Sequence, residues 1–201
     1  MRPAILSPNA VRTAQEHLSK SDEIMAQLVS RHGPCQLAER EFRPFQTLAT
    51  SIISQQLSAK AADTIERRVM MLVPTFTPYD FLGTSIDALR SVGLSSAKAR
   101  YILELAARVV TGKLDFDILL HQPDEDIITA LTELSGIGRW TAEMFLIFGL
   151  RRPDVLALRD AGLRRSVKLL YGTTELEQVG QAWRPYCSVA SWYLWRHLDP
   201  D

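Results

Sequence analysis

The residues able to do chemistry are few, and their spacing gathers them in two places. The first is Asp160, which stands immediately before Ala161-Gly-Leu-Arg-Arg165. An aspartate in that position accepts the free N–H groups of a helix start. The same position favours its ionised form, because a helix N-terminus attracts negative charge. Asp154, the other acid of that loop and the obvious rival, lies earlier and off the motif. The second place is Leu134-Ser-Gly-Ile-Gly-Arg-Trp-Thr-Ala142. Two glycines around one apolar residue, with helical patterns on both sides, describe a tight hairpin. Gly136 and Gly138 let the backbone turn and let it approach another molecule closely. The helix that follows begins with unpaired N–H groups, a seat for a phosphate, and Arg139 adds positive charge there. A plain turn between two helices, closed by a capping glycine, would produce the same pattern.

Other chemistries lack their residues. The two cysteines, Cys35 and Cys187, are far apart and read as reduced thiols. An iron–sulfur cluster held by cysteine needs four. No cluster of cysteine, histidine or carboxylate has the spacing of a divalent-metal site. Lys plus Arg and Asp plus Glu both number 23, and the pI is about 6.9. That balance argues against indiscriminate coating of nucleic acid and leaves room for one basic face. Lys98, Arg100, Arg139, Arg151, Arg152, Arg159, Arg164, Arg165 and Lys168 supply candidates for it, at least half of them read as solvated helix residues or salt-bridge partners. The N-terminus lacks the basic segment and apolar run of a secretory signal, and no apolar stretch approaches the ~20 residues needed to span a bilayer. The expected location is intracellular.

The elements that must position these residues are helical. Apolar positions recur at helical spacing along the chain, and no alternating strand pattern occurs. Residues 9–31 predict one or two amphipathic helices. Phe45, Leu48, Ala49, Ile52 and Ile53 form a buried stripe, with Pro44 in a first turn. A helix is expected from Ser58 to Leu72, a short one from Tyr79 to Ser91, and a long one capped by Ser96 and ended by Gly112. Pro123 and Asp124 open another. One more runs from near Gly138 to Gly149, and one from Asp160 to Gly172. Thr174 is expected to cap the next, and Trp183 to Leu198 to form the last. The fold class is all-α, with about ten short helices.

These segments together resemble the helix-hairpin-helix DNA glycosylase superfamily. The hairpin at 134–142 is followed by the loop and aspartate of Asp154-Val-Leu-Ala-Leu-Arg-Asp160, as in that family. Upstream, Ile52-Ile-Ser-Gln-Gln-Leu-Ser58 is similar to its segment that enters the DNA minor groove. Downstream, Trp183-Arg-Pro-Tyr-Cys-Ser-Val-Ala-Ser-Trp-Tyr-Leu-Trp195 resembles the final helix of the 3-methyladenine DNA glycosylase II branch. The likeness covers roughly residues 40–198 and implies the compact form, without an N-terminal β domain. It implies one glycosylase unit over 1–201, built as two helical lobes flanking a cleft. One lobe would comprise approximately residues 1–35 with 110–201, or the chain ends, and a central lobe approximately 40–110.

The resemblance also implies roles. Asp160 becomes the catalytic carboxylate, stabilising the positive charge that develops on the sugar as the base leaves. Trp140 stands where bifunctional relatives carry a Schiff-base lysine, which implies release of the base without strand cleavage. Trp140, Met144 and Trp195 would line the base pocket, Trp195 being equally well explained as a core residue. Gln56 or Leu57 would fill the gap left by an extruded base. Gly136, Gly138, Arg139 and Thr141 would meet the DNA backbone. The carbonyls of Thr132, Leu134 and Ile137 would hold a monovalent cation, with no other cofactor. The implied substrate is double-stranded DNA carrying alkylated bases such as 3-methyladenine, acted on by a monomer. The location would be cytoplasmic and nucleoid-associated in a prokaryote, nuclear in a eukaryote. Two other readings stay open: a glycosylase of this fold for neutral oxidised or deaminated bases, and a non-catalytic DNA-binding module.

Overall fold

Helix starts are written into this chain as serine, threonine and aspartate, and the computed structural model, which describes residues 5–39 and 41–198, uses them as such. Ser7 caps α1 (Pro8–Ser21), and Asp22 ends it and caps α2 (Glu23–His32). The amphipathic stretch over 9–31 is therefore two helices. Next come α3 (Pro44–Ser54), α4 (Ala59–Leu72), α5 (Pro78–Leu82), α6 (Ile86–Ser91) and α7 (Ser96–Val110). Then follow α8 (Phe116–Leu119), α9 (Asp124–Thr132) and α10 (Arg139–Met144). A π-helical turn, Phe145–Gly149, leads on to α11 (Ala161–Tyr171), α12 (Leu176–Gly180) and α13 (Cys187–Leu198). No strand occurs among the described residues, and no helix there is long and apolar enough to cross a membrane.

Several expected boundaries move, each for a local reason. Residues 79–91 hold two helices, because Ser85 opens a new start with its hydroxyl on the Ala88 N–H. Ser95, not Ser96, caps α7 by accepting from the Lys98 N–H at 3.2 Å. Thr174 caps nothing: Glu175 precedes α12 without a side-chain bond. Trp183 belongs to a short 3₁₀ turn, Gln181–Trp183, and α13 begins only at Cys187. The residue before a proline is driven extended, and Arg184, at φ −64° and ψ 140°, breaks the run ahead of Pro185. The helices among the described residues thus number thirteen, rather than about ten.

The chain divides into two units. One is the central segment Arg43–Phe145. The other joins the chain up to Phe42 with the chain from Leu146 onward. The central unit extends well beyond the expected limit near residue 110, because later helices pack into its core. Phe116 of α8 and Phe145 bring their ring centroids to 6.0 Å, and the hairpin rests on Tyr101 of α7. Phe45, Phe76 and Phe81 form an aromatic cluster with centroids 5.0–6.5 Å apart. Each such side chain stabilises the fold by about 1.5–3 kcal/mol when fully buried.

The discontinuous unit is organised around one acid. Asp22 accepts the Met25 N–H through Oδ1, while its Oδ2 accepts the Tyr171 hydroxyl at 2.7 Å and the Trp183 Nε1–H at 2.9 Å. That carboxylate binds α1 and α2 to α11 and the 3₁₀ turn, holding the buried Trp183 in place. Burial and the hydrogen bond to Asp22 together raise the Tyr171 phenol. Tyr193 of α13, also buried, donates to the Gly33 carbonyl and accepts from Gln15. Both cysteines are buried free thiols, and burial pushes Cys35 up to about 12. A thiol so raised stays protonated and unreactive.

Candidate functional site

Asp160 ends a loop and starts a helix, and the loop is held from both sides. Its own backbone N–H donates to the Ala157 carbonyl at 2.9 Å, and its carbonyl accepts the Arg164 N–H at 3.1 Å. The side chain is buried, at 7% exposure. Its Oδ1 accepts two N–H groups, Leu163 at 2.8 Å and the Trp195 indole at 2.9 Å. The capping reading therefore holds, and a second element, α13, joins it. The indole of Trp195 lies 5.6 Å from the Phe148 ring, at 33° to it. Neither expectation for Trp195 described that bond: its N–H orients the acid.

Gly162 belongs to this arrangement, and sequence reasoning missed it. A Cβ at Gly162 would lie 3.1 Å from Asp160 Oδ1 and 3.1 Å from Cδ1 of Trp195. The absent side chain is what lets the indole reach the carboxylate. Asp154, the rival acid, is occupied otherwise. Its Oδ2 pairs with Arg184 at 2.7 Å, and its Oδ1 accepts the Cys187 N–H that begins α13. The bond from Arg184 to Asp154 raises the guanidinium above its ordinary value.

The central unit carries the other candidates. Gly136 adopts φ +82°, and a Cβ there would come within 2.2 Å of the Tyr101 ring. Both the left-handed backbone and the close approach require glycine. Gly138 differs: its φ is −93°, and a Cβ would meet nothing within 4 Å. The protein itself does not demand glycine at 138, so that face of the hairpin is open to an approaching molecule.

Arg139 departs from expectation. Its guanidinium makes two bonds to Glu125, at 2.6 and 3.0 Å, and one to Glu143 at 3.1 Å. The pairing holds the Glu125 carboxyl below its ordinary range. Two carboxylates already surround this cation, so it does not stand as a positive charge free for a phosphate. Thr141 keeps only its main chain for a contact with DNA. In α10 residues Thr141–Met144 all face inward, and Thr141 is 5% exposed, so its side chain offers nothing to DNA. Met144 is likewise buried, whereas Trp140 at the start of the helix is 47% exposed. The two thus have opposite environments although they lie one turn apart.

The segment after α3 forms a protruding turn. Gln56 takes φ +57°, a conformation rarely adopted by residues other than glycine, and the apolar Leu57 is 37% exposed. Both candidates for filling a duplex gap therefore stand outward. Of the nine basic candidates, Arg100, Arg159, Arg164, Arg165 and Lys168 are exposed, Arg152 is buried, and Lys98 is turned to main-chain carbonyls. Arg151 donates to the Ala38 carbonyl. No group of three or more potential metal-binding side chains occurs among the described residues.

Comparison with known proteins gives a consistent result. The family model described as HhH-GPD superfamily base excision DNA repair protein matches residues 49–184. A solved DNA-3-methyladenine glycosidase from Bacillus halodurans is 39% identical, with a TM-score of 0.80 over 92% of this chain and 89% of that one. The Schizosaccharomyces pombe 3-methyladenine DNA glycosylase Mag1, solved in complex with abasic DNA, is 28% identical, with a TM-score of 0.76 over 92% and 95% of the two chains. The alkylbase DNA glycosidase-like protein mag2 of the same yeast is 28% identical over 92% of each chain.

Proposed function

Because the chain belongs to the HhH-GPD superfamily of base excision DNA repair proteins, we propose that it is a monofunctional DNA glycosylase of the 3-methyladenine DNA glycosylase II type. It hydrolyses the bond between sugar and base at alkylated bases in double-stranded DNA and leaves an abasic site. The observation that carries this reading is the Asp160 carboxylate, buried and held by the Leu163 and Trp195 N–H groups. A purely capping aspartate needs no indole and no glycine opposite it. A fixed carboxylate is what departure of a base requires, because the sugar becomes cationic as the bond stretches. Stabilisation of this kind contributes ~3–4 kcal/mol, and it costs no reorganisation when the group is already in position.

Trp140 supports the substrate class and the lack of strand cleavage. Its indole stands at the start of α10 at 47% exposure, accessible to a base. Alkylation at a purine ring nitrogen gives a cationic base, and an aromatic face attracts a desolvated cation by ~2 kcal/mol. An indole has no amine with which to form a Schiff base. The names of the relatives agree with this class of substrate.

The hairpin would also hold a monovalent cation through the carbonyls of Thr132, Leu134 and Ile137. Neutral main-chain oxygens suit a singly charged hard ion. Leu134 already accepts the Ile137 N–H at 3.1 Å and keeps a second lone pair. An ion there would attract a DNA phosphate to the open side of Gly138.

The test is incubation with duplexes carrying a single 7-methylguanine. The free base should appear in solution while the strand stays intact until alkali cleaves the abasic site. A covalent protein–DNA adduct trapped by borohydride would overturn the monofunctional assignment, and absence of base release would overturn the activity.

A further inference from the structure

The turn that carries Gln56 and Leu57 is supported in an unusual way. Helix α3 ends at Ser54, so its last carbonyls lack the N–H groups a further turn would bring. Lys98 of α7 supplies donors instead. Its Nζ donates to the Ile53 carbonyl at 2.8 Å and to the Gln55 carbonyl at 2.6 Å. Partial burial lowers the Lys98 ammonium below its ordinary value, and the two carbonyls take its donors. Gln55 then reaches the hairpin, its Nε2 donating to the Gly136 carbonyl at 2.8 Å. Gly136 in turn sits against the ring of Tyr101, close enough that any side chain at 136 would collide with it. Lys98 and Tyr101 lie one turn apart on α7, whose start is fixed by the Ser95 cap. A single turn of one helix therefore underlies both the protruding turn and the hairpin. Gln56, at φ +57°, needs such support, since a left-handed residue other than glycine persists only where its surroundings over-determine it.

We propose that Lys98 is a positioning residue for base extrusion: with Gln55 and Tyr101 it joins the turn at 55–58 and the hairpin at 134–138 into one rigid plate that holds the gap-filling side chain at a fixed height. The inference rests on the glycosylase reading given above and adds a role that a surface lysine does not have. A loose plate still binds DNA and still delivers an extruded base to the same chemistry. What it loses is the ability to occupy the gap when a paired base leaves. Extrusion is most costly for a paired base and least for an unpaired one. The signature of the role is therefore a defect that depends on pairing.

The experiment compares single-turnover release of 7-methylguanine from two duplexes, one with cytosine opposite the lesion and one with an abasic analogue. The proteins are wild type, Lys98→Met, Lys98→Arg and Gln55→Leu, each checked by thermal melting. Lys98→Met should slow release from the paired duplex by ~10-fold or more and change release from the unpaired one by less than ~3-fold. Lys98→Arg, whose guanidinium can span both carbonyls, should recover most of the loss. Gln55→Leu should show the same dependence on pairing, and it decides the matter alone if Lys98→Met does not fold. Equal slowing on both duplexes, or no slowing in folded variants, overturns the proposal while the glycosylase reading stands. A wild-type protein that releases base from neither duplex overturns both.

Discussion

At the scale of single residues, the proposed chemistry depends on how one carboxylate oxygen is held. Oδ1 of Asp160 receives an N–H from its own helix and another from Trp195, and Gly162 keeps the space between them clear. A hydrogen bond to a charged group is worth ~1.5–3 kcal/mol. Trp195→Phe keeps an aromatic ring beside Phe148 and removes the N–H together with part of the indole's volume, so thermal melting must show that the variant stays folded. Single-turnover base release should then fall ~10-fold or more, with affinity for lesion DNA unchanged. An unchanged rate would return Trp195 to the pocket or the core. Asp160 was legible in the sequence because its signal is local, an acid placed directly before a helix. The indole bond was not, since it joins residues 35 apart and nothing in a single sequence pairs them. Gly162 was overlooked for the same reason: a glycine in a first helical turn has no signal until its neighbour is known.

At the scale of elements, the hairpin separates two uses of glycine. Gly136→Ala meets the Tyr101 ring at 2.2 Å and a positive φ, so it should destabilise the protein by ~1–3 kcal/mol in chemical denaturation. Gly138→Ala meets nothing within 4 Å and should fold as wild type while weakening DNA binding. Equal stability of both variants would contradict the distinction. The two glycines look alike in sequence, and only the neighbouring ring tells them apart. Arg139 makes the same point with charge. Its partner Glu125 is 14 residues away, so a cation that looks free in sequence is neutralised in the fold. Removing it exposes Glu125 and Glu143 near the expected phosphate path. Arg139→Gln should weaken binding to damaged and undamaged duplexes alike, and adding Glu125→Gln should restore most of the loss. Direct contact between Arg139 and a phosphate would leave the double variant as weak as the single one. The count of helices shifted for an equally physical reason, since Asp22 and Ser85 open new starts within runs that periodicity alone would join.

At the scale of the whole molecule, an all-α chain of zero net charge relies on place rather than on excess of charge. The central segment carries the hairpin and the protruding turn on one short stretch of α7, and the remainder carries the acid and its indole. The division between them was misjudged from sequence near residue 110, because the packing of Phe116 and Phe145 that carries the central unit on to Phe145 leaves no mark in periodicity. What this organisation is for is tested most directly at Asp160. Asp160→Asn keeps a side chain that can cap α11, so its thermal melting should stay close to that of wild type. It removes the negative charge, so single-turnover release of 7-methylguanine should fall by ~10²-fold or more, while binding to lesion DNA persists. Asp154→Asn, which loses only an ion pair with Arg184, is the control and should retain most activity. A folded Asp160→Asn protein that releases base as fast as wild type would reduce Asp160 to a helix cap and contradict the account.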